Sequence, residues 1–132
     1  MKKLTSVIVA ALFTALTFTS CEVEKSANNL VGTWELKSTT IYYYENGETK
    51  TIEPQDGEWE KYTFTESFVT ITSNKLPNSS PTPYTIKDDK IVGIGLNLEI
   101  EKLTNSTLKL KFDNPIKIEG GIDYTISTYK KM

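Results

Sequence analysis

Residues 96–112 read LNLEIEKLTNSTLKLKF, and the alternation in this stretch decides the fold. Leu96, Leu98 and Ile100 take the even positions and Asn97, Glu99 and Glu101 follow each of them. An extended chain of this pattern has one apolar face and one polar face. Leu108, Leu110 and Phe112 alternate with Lys109 and Lys111 in the same way. Asn105-Ser106 supplies a turn between the two halves. The stretch therefore predicts a hairpin of strands Leu96–Leu103 and Thr107–Phe112, with its apolar side on a core and its polar side in water.

The same texture extends in both directions. From Leu30 onward, apolar runs are short, rich in Val, Ile, Thr, Tyr and Phe, and end at turn signals. Further strands are expected at Val31–Thr39, Ile41–Tyr44, Glu48–Glu53, Glu60–Thr65, Phe68–Ser73, Pro83–Lys87, Lys90–Ile94, Pro115–Glu119 and Ile122–Tyr129. Asn46-Gly47 is a hairpin signal of the type I′ kind, and Asp88-Asp89 and Gly120-Gly121 suit two more connections. The stretch KLPNSSPTP, residues 75–83, carries three prolines and reads as an exposed loop. No segment holds a helical period and no repeat occurs. The expectation is an all-β fold, a small antiparallel up-and-down barrel of about eight to ten short strands, because closure removes sheet edges. Trp34 and Leu36 share one face, as do Tyr62 and Phe64.

The N-terminus has a different composition. Lys2 and Lys3 precede an apolar run from Val7 to Phe18, and the chain's one cysteine, Cys21, follows Phe18-Thr19-Ser20. The run is shorter than the roughly 20 residues a membrane-spanning helix needs and has the layout of a signal segment. The tetrad ending in Cys21 resembles the lipobox of bacterial lipoproteins, with Phe18 where Leu is usual. That resemblance implies cleavage before Cys21 and acylation of it with chains such as palmitate. Residues 1–20 are then a signal peptide, 21–29 a lipidated flexible tether and 30–132 the barrel domain. Two or more acyl chains make a stable anchor, so the expected location is the cell envelope, on the outer membrane.

Composition excludes much chemistry. The chain has no histidine, and all 15 of its basic residues are lysine. Two of those lysines lie in residues 1–20, which leaves 13 against 17 acids, a net charge of −4. Mild acidity without arginine disfavours nucleic acid and anionic lipid as docking partners. Ser-His-Asp and Cys-His catalysis and the usual zinc and copper sites lack their ligands. No catalytic residue, metal site or cofactor is expected. Asp88-Asp89 lacks the ligand spacing of a calcium loop, and the i, i+2 pair Glu99/Glu101 faces water beside Leu98 and Ile100. One core, no disulfide and a monomeric state are expected.

Aromatic residues furnish the candidate binding positions. In Tyr42-Tyr43-Tyr44, alternation sends neighbours to opposite faces unless a bulge intervenes, and exposed tyrosines suit sugar or protein contacts. Glu60 has the parity of Tyr62 and Phe64, which places it at a barrel mouth, where it would meet a ligand's polar end. The candidate ligand-binding set is Tyr43, Glu60, Tyr62 and Phe64.

Gly32-x-Trp34 opening the first strand, Tyr62-x-Phe64, and Ile100-x-x-Leu103-Thr104 leading into Leu108-x-Leu110 follow one another in order. Together with the lipobox, this order resembles the bacterial lipocalin-like lipoproteins. The resemblance implies a barrel in which Trp34 plugs the closed end and Gly32 permits close approach at the strand start. No arginine is present to stack on that tryptophan, so Lys130 or Lys131 would have to take its place. The chain is also shorter than a true lipocalin by some 50 residues and lacks the C-terminal helix. Small eight-stranded barrels are often filled by side chains, so two functions follow. One is binding of a small apolar or amphipathic ligand. The other is a protein-interaction or inhibitor module with a solid core and an exposed tyrosine surface.

Overall fold

The computed structural model describes residues 21–132, and the expected signal segment, residues 1–20, lies outside them. A single-turn helix α1 (Ala27–Leu30) precedes β1 (Gly32–Tyr43), β2 (Thr49–Ile52), β3 (Glu60–Phe64), β4 (Phe68–Ser73) and β5 (Thr82–Lys87). β6 (Lys90–Gly93), β7 (Leu96–Leu103), β8 (Thr107–Asp113) and β9 (Ile122–Lys131) complete the chain. Every pairing is antiparallel, in the order β2-β1-β3-β4-β5-β6-β7-β8-β9, and β1 also pairs with β9. Eight strands thus close into an up-and-down barrel and β2 is an addition to it. The lower part of β1 pairs with β3, as Trp34 does with Tyr62, while its upper part pairs with β2, as Ile41 does with Lys50.

Three expectations about local structure change. Val31–Thr39 and Ile41–Tyr44 are one strand, because the threonines at 39 and 40 continue the ladder to β9. Irregularities between Leu36 and Ser38 and between Tyr42 and Tyr43 take up its twist. Pro115–Glu119 is not a strand. Pro115 has no N–H to give, and the loop is held by side chains: Lys117 Nζ lies 2.6 Å from Asp123 Oδ1 and 2.9 Å from Asp113 Oδ1. Asn114 Nδ2 also donates to the Ile122 carbonyl at 2.8 Å. The β1–β2 turn has positive φ at Glu45 and Gly47, so Asn46-Gly47 is not a two-residue type I′ turn. Asp88 and Asp89 both adopt positive φ between the paired Lys87 and Lys90, which is that geometry.

Leu30, Trp34, Phe64, Val69, Tyr84, Ile91, Ile100, Leu103, Leu108, Leu110 and Tyr129 form one core, with Leu36, Tyr62 and Leu98 packed against it. The hairpin of residues 96–112 supplies four of the core residues, Ile100, Leu103, Leu108 and Leu110, and packs Leu96 and Leu98 against them. A register shift between Ile100 and Lys102 keeps Leu103 on the core face despite its odd number. Phe112 departs from expectation and is 51 % exposed, because β8 has by then reached the barrel rim.

Residues 21–29 are also not a free tether. Glu22 bridges to Thr104, and the Val23 N–H donates to the Leu103 carbonyl at 2.9 Å. Ser26 caps α1, its side chain accepting from the Asn29 N–H. Val23 and Ala27 are the reason: they are the apolar residues of an otherwise polar stretch and both pack on the core.

Candidate functional site at the barrel mouth

The two ends of the barrel differ in construction. The end holding α1, Gly32, the Asp88-Asp89 turn and the C-terminus is sealed by Trp34, which is 0 % exposed. Its Nε1–H donates to the Leu30 carbonyl at 2.9 Å, tying the plug to α1. Lys131 Nζ stands 5.4 Å from the Trp34 ring centroid, within cation–π range. Gly32 makes that approach possible: its φ is +132°, and a Cβ there would lie 2.7 Å from Lys131 Cε.

At the other end, strand parity brings polar groups to the inner face. Tyr129 is core, so Ser127 two residues earlier on β9 shares its face, and its hydroxyl meets the Thr39 hydroxyl at 3.0 Å. Glu60 begins β3 opposite Ser73. The Tyr129 hydroxyl donates to Glu60 Oε2 at 2.9 Å. Burial pushes the Tyr129 phenol far above its ordinary range, helped by the neighbouring Tyr62 and the Glu60 charge. Burial and then the Glu60 charge raise Tyr62 as well.

Above this level lies an open cleft of about 280 Å³, whose lining includes Leu36, Thr39, Ile52, Pro54, Trp59 and Glu60. Its position follows from the split pairing of β1. Between the end of β3 pairing at Glu35 and the start of β2 pairing at Thr39, β1 has no strand partner on that edge among the described residues, and the connection from Glu53 to Trp59 runs beside it. That loop is braced by the Gln55 N–H on Glu58 Oε1 at 2.8 Å and by the Trp59 N–H on Asn74 Oδ1 at 3.0 Å. The cleft thus joins an apolar wall, an indole and a carboxylate that already holds one phenol.

Glu60 is at the mouth, where its parity places it. Tyr62 and Phe64 lie below and do not line the cleft. Phe64 is 2 % exposed and packs edge-on against Tyr84 at 5.4 Å between centroids, while Tyr62 sits 4.9 Å from Tyr129. The lower barrel is filled by these rings. Tyr43 pairs with Ile122 at the rim and is not among the residues lining the cleft. Sequence reasoning missed Trp59, Ile52 and Leu36 as lining residues. The parity of Leu36 with Trp34 was the available signal, whereas Trp59 precedes its strand and carries no parity.

A second surface faces outward. Tyr42 stacks on Tyr124 at 4.4 Å, and Lys111 Nζ lies 4.4 Å from the Tyr124 ring. Beside it, a groove of about 360 Å³ is lined by Lys90, Asn97, Glu99, Lys111, Phe112, Asp113 and Pro115. The Cys21 thiol is exposed at the closed end. Among the described residues, no cluster of three or more metal-ligating side chains occurs and no helix is long and apolar enough to cross a membrane. No family model, curated protein or solved structure matches the chain.

Proposed function

We propose that the protein is a non-enzymatic lipoprotein of the cell envelope, held by acyl chains on Cys21, whose barrel binds a small amphipathic ligand at its mouth. The observation that carries the binding half is the Glu60 cleft. Oε2 of Glu60 accepts from Tyr129, while Oε1 accepts no hydrogen bond from the described residues. A ligand donor, such as a hydroxyl, amide or ammonium, would find an acceptor there, with Leu36, Ile52, Pro54 and Trp59 against its apolar body. Glu53, Glu58 and Glu60 outnumber Lys75 around the opening, which favours a neutral or cationic head. The volume falls just below the range of about 300–1,000 Å³ usual for small-molecule sites, so the ligand is small.

The anchor half rests on the lipobox-like tetrad. The position of Trp34, Gly32 and Lys131 supports the likeness to lipocalin-like lipoproteins, since a lysine occupies the place left by the missing arginine. Growth with labelled fatty acid tests the anchor: label is expected in the wild type and absent in Cys21→Ser, and an unlabelled wild type would contradict it. Native mass spectrometry of the soluble domain from its own host tests the ligand, expected as an added mass of a few hundred daltons at most that Glu60→Ala and Trp59→Ala diminish.

The filled lower barrel and the Tyr42–Tyr124 stack favour a second reading, an interaction module acting through the outer face of β1 and β9. Loss of a partner on Tyr42→Ala, with the mouth variants unaffected, would select it.

A further inference from the structure

We infer that the closed end of the barrel faces the anchoring membrane and the mouth opens away from it, so that ligands reach the Glu60 cleft from the aqueous side and not out of the anchoring leaflet. The inference rests on the lipid-anchor reading above and adds an orientation to it. A free nine-residue tether would span roughly 17 Å root-mean-square and let the barrel turn in any direction. Residues 22–30 are not free. Glu22 bridges to Thr104, whose side chain is buried and whose Oγ1 accepts from the Thr107 N–H at 2.9 Å. Val23 is bonded to Leu103, Asn29 Nδ2 donates to the Glu24 carbonyl at 2.8 Å, and Lys25 Nζ stands 3.9 Å from Asp89 in the β5–β6 turn. Leu30 is fully buried and accepts from Trp34.

Acyl chains on Cys21 are therefore one residue, about 3.5 Å of chain, from backbone that belongs to the barrel floor. The Glu60 cleft opens beside Leu36 and Thr39 of β1, away from the Gly32 end that holds the floor. Four to seven residues of strand separate it from Gly32, about 13–23 Å of chain, or about 10–18 Å along the axis at the usual barrel tilt. The floor turns around Asp88, Asp89, Asn105 and Lys130 carry both signs of charge, so the orientation comes from the docking of residues 22–30 beside the anchor and not from attraction to anionic lipid.

Acylation consumes the Cys21 thiol, so an introduced cysteine is uniquely reactive in the mature protein. Asn105→Cys in the β7–β8 turn and Asn78→Cys in the β4–β5 loop mark the floor and the mouth at exposed positions. Each full-length variant, made in a lipidating bacterial host, is labelled with a thiol-reactive fluorophore. It is then placed in phosphatidylethanolamine–phosphatidylglycerol vesicles containing a headgroup nitroxide lipid. Strong quenching at position 105 with background quenching at 78 is expected, and a Gly-Ser linker inserted between Cys21 and Glu22 should equalise the two. Equal quenching without the linker, or the reverse order, in protein that floats with the vesicles and carries fatty acid overturns the orientation alone. Protein that neither floats nor carries fatty acid overturns the anchor and the orientation with it.

Discussion

At the closed end, Leu30, Trp34, Leu103 and Leu108 are wholly buried, and the one polar side-chain atom among them, the indole N–H, is paired with the Leu30 carbonyl. At the mouth, the same barrel wall presents Thr39, Ser127, Ser73 and Glu60 to its interior, and the chain leaves a cleft where β2 and β3 fail to meet. β1 and β9 run through both regions, whereas β3 gives way to β2 along the other edge of β1, so the difference lies in side chains and in strand pairing. An end filled with hydrocarbon and aromatic rings supplies stability. An end lined by hydroxyls, a carboxylate and an indole leaves polar groups open to solvent, and it contributes little to the core. The division assigns opposite roles to the two tryptophans, Trp34 below and Trp59 above.

The largest expected effect is at the closed end. Trp34→Ala should cost about 3–5 kcal/mol, the range for deleting a large core aromatic. Against a typical total of about 5–15 kcal/mol, the variant should be largely unfolded at 37 °C. Denaturant melts measure it.

Alkaline pH should weaken the same core. Tyr129 and Tyr62 hold their protons more tightly folded than unfolded, as does Tyr84, raised by burial and then by the Glu66 charge. Their contribution is complete below the unfolded value of about 10 and is lost as pH rises above it. For the buried Tyr129 the loss is about 1.4 kcal/mol per pH unit within that window. Melts at successive pH values check this, and Tyr129→Phe should make the alkaline decline shallower.

At neutral pH, Tyr129→Phe removes one charge-assisted hydrogen bond to Glu60 and should cost about 1.5–3 kcal/mol, less if water replaces the phenol at the open mouth. The smallest effect belongs to the cleft itself. Trp59→Ala should cost under about 1 kcal/mol, as substitutions outside the core usually do, while weakening ligand capture. A larger loss at Trp59 than at Trp34 would reverse the assignment of the two ends.

The barrel was legible because alternation, turn residues and β-branched composition agree along most of the chain. The hairpin of residues 96–112 and the parity of Glu60 with Tyr62 were enough to define a core face and a mouth. What alternation could not register were the bulges, which restore Leu103 to the core and carry β1 past Thr39 and Thr40 without a break. Nor could it show that Val23 and Ala27 suffice to dock residues 22–30, since two apolar positions make no pattern. The cleft was hidden for a related reason. It arises from a missing pairing between β2 and β3, and its indole comes from a loop that Asn74 holds in place across 15 residues of chain. Non-local contacts of that kind leave no local signature in a sequence.

The two tryptophans separate recognition at the mouth, as proposed, from recognition inside the barrel. Trp34→Phe leaves Trp59 as the sole indole, and Trp59→Phe leaves Trp34. Each folded variant is titrated with octylamine, an amphiphile with a cationic head, and with octanoate as the opposite charge, while emission and acrylamide quenching are followed. Octylamine is expected to shift and shield Trp59, leave Trp34 unchanged and outcompete octanoate, and Glu60→Gln to weaken the response. A response at Trp34 with none at Trp59 would place the ligand in the barrel interior and overturn recognition at the mouth.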